Sequence, residues 1–471
     1  MSARRVTTVM WFRRDLRLAD LPALHAAAAD GAVVPLFVVD PAFDRAGSAR
    51  REFMCRALRS LDDAAQRALV YRYGDPADVV PQFAAEVGAS AVYVTRDYGP
   101  YGRRRDGVVA ERLRVDGRRL VGVGTPYAVT PGTVEKGTGG PYAVFTPFSR
   151  AWRAVGWDRP LGVPDVEWRG APGVPCEGPP ALPGIDLEPV HDGTMSLLDD
   201  ASEGAAHRRW EAFLPIVGEY DATRNLPAVG GSSRLSAALR WGVLHPRQLL
   251  DDLGPLAAAA ATEQGAHVFT NELAWREFYA DVLHREPQTA WQNLNRRMDA
   301  MPIDADAAAR SRFQRWSEGS TGFPIVDAGM RQLARTGWMH NRVRMIVASF
   351  LVKDLHLPWQ WGAAHFMRHL VDGDLASNAH GWQWTAGTGT DAAPYFRVFN
   401  PTSQGERYDP DGEYVRRWVP ELAQLGGRAV HDPGLRRPEH YPPPMVDHAA
   451  ERAEALRRYR AVTTTPAAGS R

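Results

Sequence analysis

The sequence predicts an α/β fold, a doubly wound parallel sheet at the N-terminus, joined to an all-α C-terminal domain. Three observations carry that prediction. Short apolar runs alternate with helical patterns over about the first 125 residues, and strand–helix alternation builds parallel sheets with crossover helices. The strand pattern then disappears after about Ala201. Pro324–Leu351 carries the clearest helical period, with Val326, Met330, Leu333, Met339, Val343, Ile346 and Phe350 recurring at three- and four-residue steps.

Val6–Phe12 (VTTVMWF), Val33–Val39 (VVPLFVV), Ala68–Tyr73 (ALVYRY) and Ala91–Thr95 (AVYVT) read as buried strands. LADLPALHAAAAD, the 48–67 segment and PADVVPQFAAEVG read as helices between them. The loop after the first strand, RRDLRLAD, has no glycine, so the dinucleotide fingerprint GxGxxG is absent. A nucleotide-like ligand at the carboxyl ends of these strands would be held another way. Residues 126–200 are rich in Pro and Gly with weak periodicity, as in TPGTVEKGTGGP and RGAPGVPCEGPPALPG. They read as a surface connector between domains at 1–125 and 201–471. Within the helical region, Gly337 separates two helices at the TGW step. Arg331, Arg335, Arg342 and Arg344 lie off the apolar set; a solvated helix face and a phosphate-contacting surface explain them equally well.

At 471 residues, 44% hydrophobic and 24% charged, the chain has an ordinary globular composition. A net charge of +1 means that any nucleic-acid contact must come from a local basic patch. Cys55 and Cys176 stand far apart with no CxxC spacing, which argues against a disulfide scaffold or a zinc site. His365 and His369 have metal-pair spacing but no third ligand motif beside them, and read as surface or core histidines. The N-terminal stretch MSARRVTTVMWFRRDLRL is too short between arginines for a signal-peptide core, and no apolar run approaches the ~20 residues of a membrane span. These features predict a soluble, cytoplasmic protein with no membrane partner.

The densest stretch is DLASNAHGWQWTAGTGTDAAPYFRVFNP, Asp374–Pro401, with Trp382, Trp384, Tyr395, Phe396 and Arg397 among amides and glycines. Its weak periodicity reads as a loop, with flat rings and glycines suited to stacking on a flat ligand; a Trp-rich core turn is the alternative. GSSRLSAALRWG (Gly231–Gly242) reads as a Ser/Arg-rich entry into a helix, where hydroxyls, free amides and Arg234 favour a diphosphate.

Together with NELAWREFY (Asn271–Tyr279), GWMHNRVRM (Gly337–Met345) and WFRRDLRL near the N-terminus, these segments resemble the DNA photolyase and cryptochrome family, and within it class I cyclobutane pyrimidine dimer photolyases. The resemblance spans almost the whole chain and is weakest in the connector. It implies an α/β antenna domain joined to a helical domain that holds FAD, and light-driven repair of pyrimidine dimers in DNA by an electron from reduced FAD, with the dimer flipped out of the duplex. A monomer acting on dimer-containing DNA is the implied assembly.

Carried over residue by residue, the resemblance makes Glu272, Asn341, Met345 and Asn378 catalytic. Glu272 would contact the dimer carbonyl that gains electron density, with its pKa raised by an apolar pocket; a helix glutamate salt-bridged to Arg276 is the bland alternative. Asn378 would stand near the reactive nitrogen of the flavin. Tyr220, Ser232, Ser233, Arg234, Leu235, Ser236, Trp338, Arg344, Asp372 and Asp374 match FAD contacts. Trp275 and Trp384 would wall the dimer pocket, core packing being their alternative, while Arg276, Arg224, Arg342 and Arg397 match DNA-facing positions.

Trp382 and Trp359 match the inner members of an electron relay. Its outer member should fall near Asp304–Arg310, where this chain reads DADAAAR, so photoreduction is expected to be slow or to use Trp316, Trp291 or a tyrosine. Thr95–Asp106 (TRDYGPYGRRRD) and Arg240 resemble relatives with an 8-hydroxy-5-deazaflavin antenna more than those with methenyltetrahydrofolate; Asp97 and Arg240 are the residues implied, although Arg240 replaces a lysine. A (6-4) photolyase would carry histidines where Asn341 and Met345 stand. A cryptochrome-type photoreceptor is the main rival, and a flavin- or nucleotide-binding protein without light chemistry is the residual one.

Overall fold

A computed structural model describes residues 6–171, 173–190, 196–395 and 397–463. Pro172, Phe396, the first five residues, residues 191–195 of the connector and the tail beyond Thr463 lie outside them. Five strands form one parallel sheet: β1 (Thr7–Phe12), β2 (Ala32–Val39), β3 (Val70–Tyr73), β4 (Ala91–Val94) and β5 (Arg119–Gly122), in the order β3-β2-β1-β4-β5. Val9 on β1 pairs with Val34 on one side and Val92 on the other. The order reverses between β1 and β4, which leaves a crevice at the carboxyl ends of those strands. α1 (Pro22–Asp30), α2 (Ser48–Ala64), α3 (Pro76–Glu86) and α4 (Pro100–Val115) complete the alternation.

Three elements were missed here: α4, whose only buried residues are Gly102, Val109 and Leu113 and so form a sparse stripe, together with β5 and a helix in the connector. β5 reads RLVG and lies at the sheet edge with only partial burial, so it lacks the continuous apolar run of a central strand. The connector contains α5 (Phe145–Val155), which buries Phe145, Phe148, Ser149 and Trp152. That spacing is an amphipathic stripe hidden between Pro- and Gly-rich flanks. Trp152 donates its indole N–H to Glu277 at 2.6 Å, and the same carboxylate accepts the backbone N–H groups of Ala128 and Val129.

From Ser202 on, the described residues form helices and no strand. In chain order these are α6 (Glu203–Phe213), α7 (Tyr220–Thr223), α8 (Ser236–Trp241), α9 (Pro246–Ala258), α10 (Glu263–Arg285), α11 (Ala307–Ser317), α12 (Pro324–Thr336), α13 (Asn341–Ser349), α14 (Trp359–His369), α15 (Leu375–Ala386), α16 (Pro401–Tyr408), α17 (Glu413–Trp418) and α18 (His448–Thr463). Gly337 ends α12 in the left-handed conformation at φ 64°, as the TGW step predicts. α13 runs on into a π-helical turn over Phe350–Asp354.

The Trp-rich stretch is a helix followed by a loop. Its first half is α15, opened by the Asp374 carboxylate accepting the Ser377 N–H at 3.1 Å and closed by Gly387 at φ 72°. Both cap residues were present in the sequence. The loop reading holds over 387–395 and 397–400 but failed over α15, where Gly381, two tryptophans and several amides masked the period.

Candidate active site

A cavity of about 500 Å³ opens among the helices, and most of the predicted site residues line it. α10 supplies Phe269, Glu272, Leu273, Trp275, Arg276 and Tyr279. α13 supplies Asn341, Arg342, Arg344, Met345 and Ala348, and α15 supplies Ser377, Asn378, Gly381, Trp382, Trp384 and Thr385. These sets recur at three- and four-residue steps, so each helix turns one face toward the cavity. Tyr220, Arg224, the Ser232–Ser236 run, Arg240, Trp338, Asp372 and Asp374 close the remaining sides. Asp97, Trp359 and Arg397 are not among the lining residues.

Glu272 pairs with Arg224 at 2.8 Å, not with Arg276. Burial raises its pKa, and the Arg224 and Arg342 charges only partly offset this. Its proton is therefore available nearer neutral pH than that of a free carboxyl. Asn341 opens α13, whose amino end is capped by the His340 ring. Asn378 donates its amide N–H to the Ala363 carbonyl at 3.0 Å, which fixes the orientation of the side chain. Trp275 stacks on Phe145 of the connector helix with centroids 3.8 Å apart and planes 7° apart. The connector thus stiffens one wall, a contribution that sequence reading missed. Tyr279, Phe269 and Phe366 are also lining aromatics absent from the predicted set; their spacing on α10 and α14 was the available signal.

The charged side is ordered around two aspartates. Arg344 donates to Asp372 at 2.8 Å and to the Met339 carbonyl at 2.8 Å. The other Asp372 carboxylate oxygen, Oδ1, is buried without a protein partner. Burial pushes the Asp374 carboxyl up, but Arg240, Arg14, Arg276 and the Ser377 N–H together hold it below the usual range. Ser232 and Ser233 precede Arg234, which has φ 55°, and Leu235 sits at the start of α8. A flat aromatic-walled chamber, hydroxyls and arginines at one end and an orphaned buried acceptor suit FAD. Its rings would lie against the apolar walls, its diphosphate at the Ser/Arg run, and a hydroxyl or amino group could satisfy Asp372.

Basic residues divide by geometry. Arg342 donates to the Asn225 side chain at 2.7 and 3.1 Å and lies 4.5 Å from the Tyr408 ring. Arg397 is exposed and stands over Phe399. Arg276 differs: its guanidinium donates to the Pro126 and Leu239 carbonyls and lies 4.6 Å from the Tyr127 ring. Those contacts clamp the connector to α8.

The two implied antenna residues take part in an ion network. Asp97 faces Arg14 and Arg105, each at 3.6 Å, and these arginines outweigh its burial to hold its carboxyl well below the usual range. Arg240 donates to the Gly373 carbonyl at 2.9 Å and lines the central cavity. Trp382 is buried, edge-on to Phe366 and Trp316 at 5.0 and 6.1 Å. Trp359 is buried one helical turn before Gly362 on α14 and donates to Asn293 at 2.8 Å. Position 306 is an aspartate that caps α11 through the Ala309 N–H.

Comparison with known proteins gives a consistent result. Residues 8–165 match the DNA photolyase domain, and residues 269–461 match the FAD binding domain of DNA photolyase. The deoxyribodipyrimidine photo-lyase of Escherichia coli is 39% identical over 97% of this chain and 98% of its own. That of Vibrio cholerae is 37% identical over 96% and 99%. Among solved structures, a bacterial class III photolyase from Agrobacterium tumefaciens superposes with a TM-score of 0.88 at 35% identity, covering 99% of each chain. A Synechocystis cryptochrome also gives 0.88, at 27% identity over 97% of this chain and 100% of that one. Matched along nearly its whole length in both sequence and fold, the chain belongs to the DNA photolyase family.

Proposed function

We propose that the protein repairs cyclobutane pyrimidine dimers in DNA with blue light, as a deoxyribodipyrimidine photo-lyase. One observation carries the reading: Glu272, Trp275, Asn341, Met345, Asn378 and Trp384 line one cavity together with a Ser/Arg-rich run suited to FAD. Bound FAD supplies light absorption and the electron that opens the cyclobutane ring. The chain's own residues do the rest. Trp275, braced by Phe145, and Trp384 give a flipped-out dimer flat apolar faces to stack on. Glu272 offers a proton or hydrogen bond to the pyrimidine carbonyl as it gains charge, and burial raises its pKa toward that role against the pull of Arg224 and Arg342. Asn378 presents a neutral, fixed amide to the flavin ring, while Arg224, Arg342 and Arg397 meet DNA phosphates.

The same reading divides the chain at 1–125, 126–200 and 201–471, and takes a monomer in the cytosol as the working form. It also includes a second chromophore, with 8-hydroxy-5-deazaflavin ahead of methenyltetrahydrofolate. The Thr95–Asp106 resemblance supports it, and the ion pairs of Asp97 constrain it: a chromophore contacting that carboxylate must share it with Arg14 and Arg105. A cryptochrome-type photoreceptor is the second reading, favoured by the close superposition on the Synechocystis protein. Incubating chemically reduced protein with dimer-containing DNA, in blue light and in darkness, separates the two. Light-dependent recovery of thymine absorbance supports repair; its absence assigns the protein to the photoreceptor class.

A further inference from the structure

This inference rests on the flavin reading and concerns how electrons reach oxidised FAD. We infer that Trp291 is the solvent terminus of an indole chain, Trp382–Trp359–Trp291.

Trp382 lines the cavity but is only 3% exposed, so a reductant in solution has no direct access to it. Two aromatic branches lead outward. The first passes through Trp316, edge-on at 6.1 Å, and Phe313, 5.6 Å further, to Trp361, another 5.6 Å away. Trp316 is fully buried with its N–H held by the Val347 carbonyl. At the far end, the Arg310 guanidinium lies 5.0 Å from the Trp361 ring centre. That fixed positive charge opposes the positive charge an oxidised indole must carry.

On the second branch the Arg296 guanidinium, which donates to the Gln292 side chain beside Trp291 at 3.0 Å, is neutralised by a carboxylate. The six-membered end of Trp382 lies directly against the Gly362 backbone, and Trp359 is one turn earlier on the same helix. The Trp359 N–H donates to the Asn293 carbonyl oxygen at 2.8 Å; the Asn293 amide in turn donates to Asp299 at 2.8 Å. Asp299 also pairs with Arg296 at 2.8 Å, on the side away from Asn293. The indole therefore faces the negative end of a hydrogen-bonded chain. Trp291 stands two residues before Asn293, and its carbonyl accepts from Gln360, the neighbour of Trp359. Its side chain is 56% exposed, with no ring partner among the described residues. Trp291 therefore presents its indole to water from the same backbone segment that holds Asn293, the hydrogen-bond partner of Trp359.

Trp382 gives one electron to light-excited oxidised FAD, Trp359 refills Trp382, and Trp291 refills Trp359. The Trp291 radical cation then loses its indole proton to water, which traps the oxidation at the surface. A thiol in solution returns one electron, with a proton, to the neutral radical. A second round, with proton uptake, completes reduction of the cofactor.

The test is flash absorption spectroscopy on the oxidised, FAD-loaded protein, comparing wild type, Trp291→Phe and Trp361→Phe. The expected result is a long-lived neutral indole radical in wild type and Trp361→Phe, lost in Trp291→Phe, with several-fold slower steady photoreduction by dithiothreitol in that variant. A wild-type radical lifetime and photoreduction rate in Trp291→Phe, or loss of the radical in Trp361→Phe alone, overturns the assignment. Repair by chemically reduced wild-type protein needs no relay. Its failure counts against the repair reading and leaves the radical measurement standing.

Discussion

Gly362→Ala tests how tightly the cavity wall is built. A Cβ added there would sit 2.1, 2.5 and 2.6 Å from three carbons of the Trp382 six-membered ring, against 3.4–4 Å for ordinary contact. The ring edge must therefore withdraw by about 1.3 Å. It has little room, being 3% exposed with Phe366 and Trp316 at centroid distances of 5.0 and 6.1 Å. Overpacking of this kind costs roughly 1–3 kcal/mol. Replacing a helical glycine by alanine returns about 0.5–1 kcal/mol. With a displacement this large the cost lies at the upper end, and the net expectation is a loss of up to about 2.5 kcal/mol, seen as a drop of a few degrees in Tm. Because Trp382 lines the cavity, bound flavin should fall as well, read from the ratio of visible to ultraviolet absorbance. Gly107→Ala is the control. It sits in α4 with nothing within 4 Å of the added carbon, so helix propensity should act alone and raise stability. A Gly362→Ala protein with unchanged or higher Tm and full flavin content would refute the steric argument.

Three further outcomes are expected. Glu272→Ala should lower repair yield about tenfold or more, the value of one charge-assisted hydrogen bond, with a smaller change in DNA affinity; equal losses in both measurements would place Glu272 in binding alone. Arg342→Ala should weaken DNA binding and reduce the slope of log affinity against log salt by about 1, and an unchanged slope would remove Arg342 from the phosphate contacts. The third concerns Asp354, whose carboxyl is pushed up to about 6 by burial, against the pull of the His448 ring at 2.5 Å and of Lys353, and with the help of Glu451. A raised carboxyl favours the protonated fold, so its stabilising contribution is complete below about pH 4 and is lost as pH rises through 6. Wild-type Tm relative to Asp354→Asn should therefore fall between pH 4 and pH 6.5, and a rise across that window would reverse the assigned sign.

The parts of the fold legible in sequence were those with an undisturbed period. β1, β2 and β4 are central, buried strands and read as continuous apolar runs. α12 and α13 carry their apolar residues at helical spacing and break at a glycine that is in fact left-handed. What escaped had its signal cut short or diluted. β5 is an edge strand of four residues, and α5 is a single amphipathic stripe inside a Pro/Gly-rich connector. α15 shows that composition can mislead where spacing does not. Asp374, Ser377, Asn378, Gly381, Trp382 and Thr385 all line one cavity at helical steps, yet their glycine and amide content suggested a loop. The site residues were legible because motif segments far apart in sequence each put one face on the same cavity. Their partners were not: nothing in NELAWREFY indicates that Glu272 meets Arg224 rather than Arg276, since that depends on how α7 packs against α10.

The same consideration explains why the α/β half cannot be separated from the chemistry of the helical half. Arg14, in the loop after β1, lies 3.6 Å from Asp97 and 3.6 Å from Asp374. Arg240 reaches Asp374 at 3.9 Å from α8, and Arg105 reaches Asp97 at 3.6 Å from α4. A half-buried guanidinium such as that of Arg14 carries a desolvation penalty that ionised carboxylates offset, and both of its carboxylates are held below the usual range. Asp374 does a second job with the same charge: its other oxygen caps α15, the helix that places Asn378, Trp382 and Trp384. Removing Arg14 would leave Asp374 paired mainly with Arg240, whose Nη1 is already buried without a partner. The amino end of the helix that carries three of the proposed functional side chains is thus fixed by an arginine more than 350 residues earlier in the chain. The flavin wall is therefore a product of both halves of the molecule, although every residue lining it comes from the second.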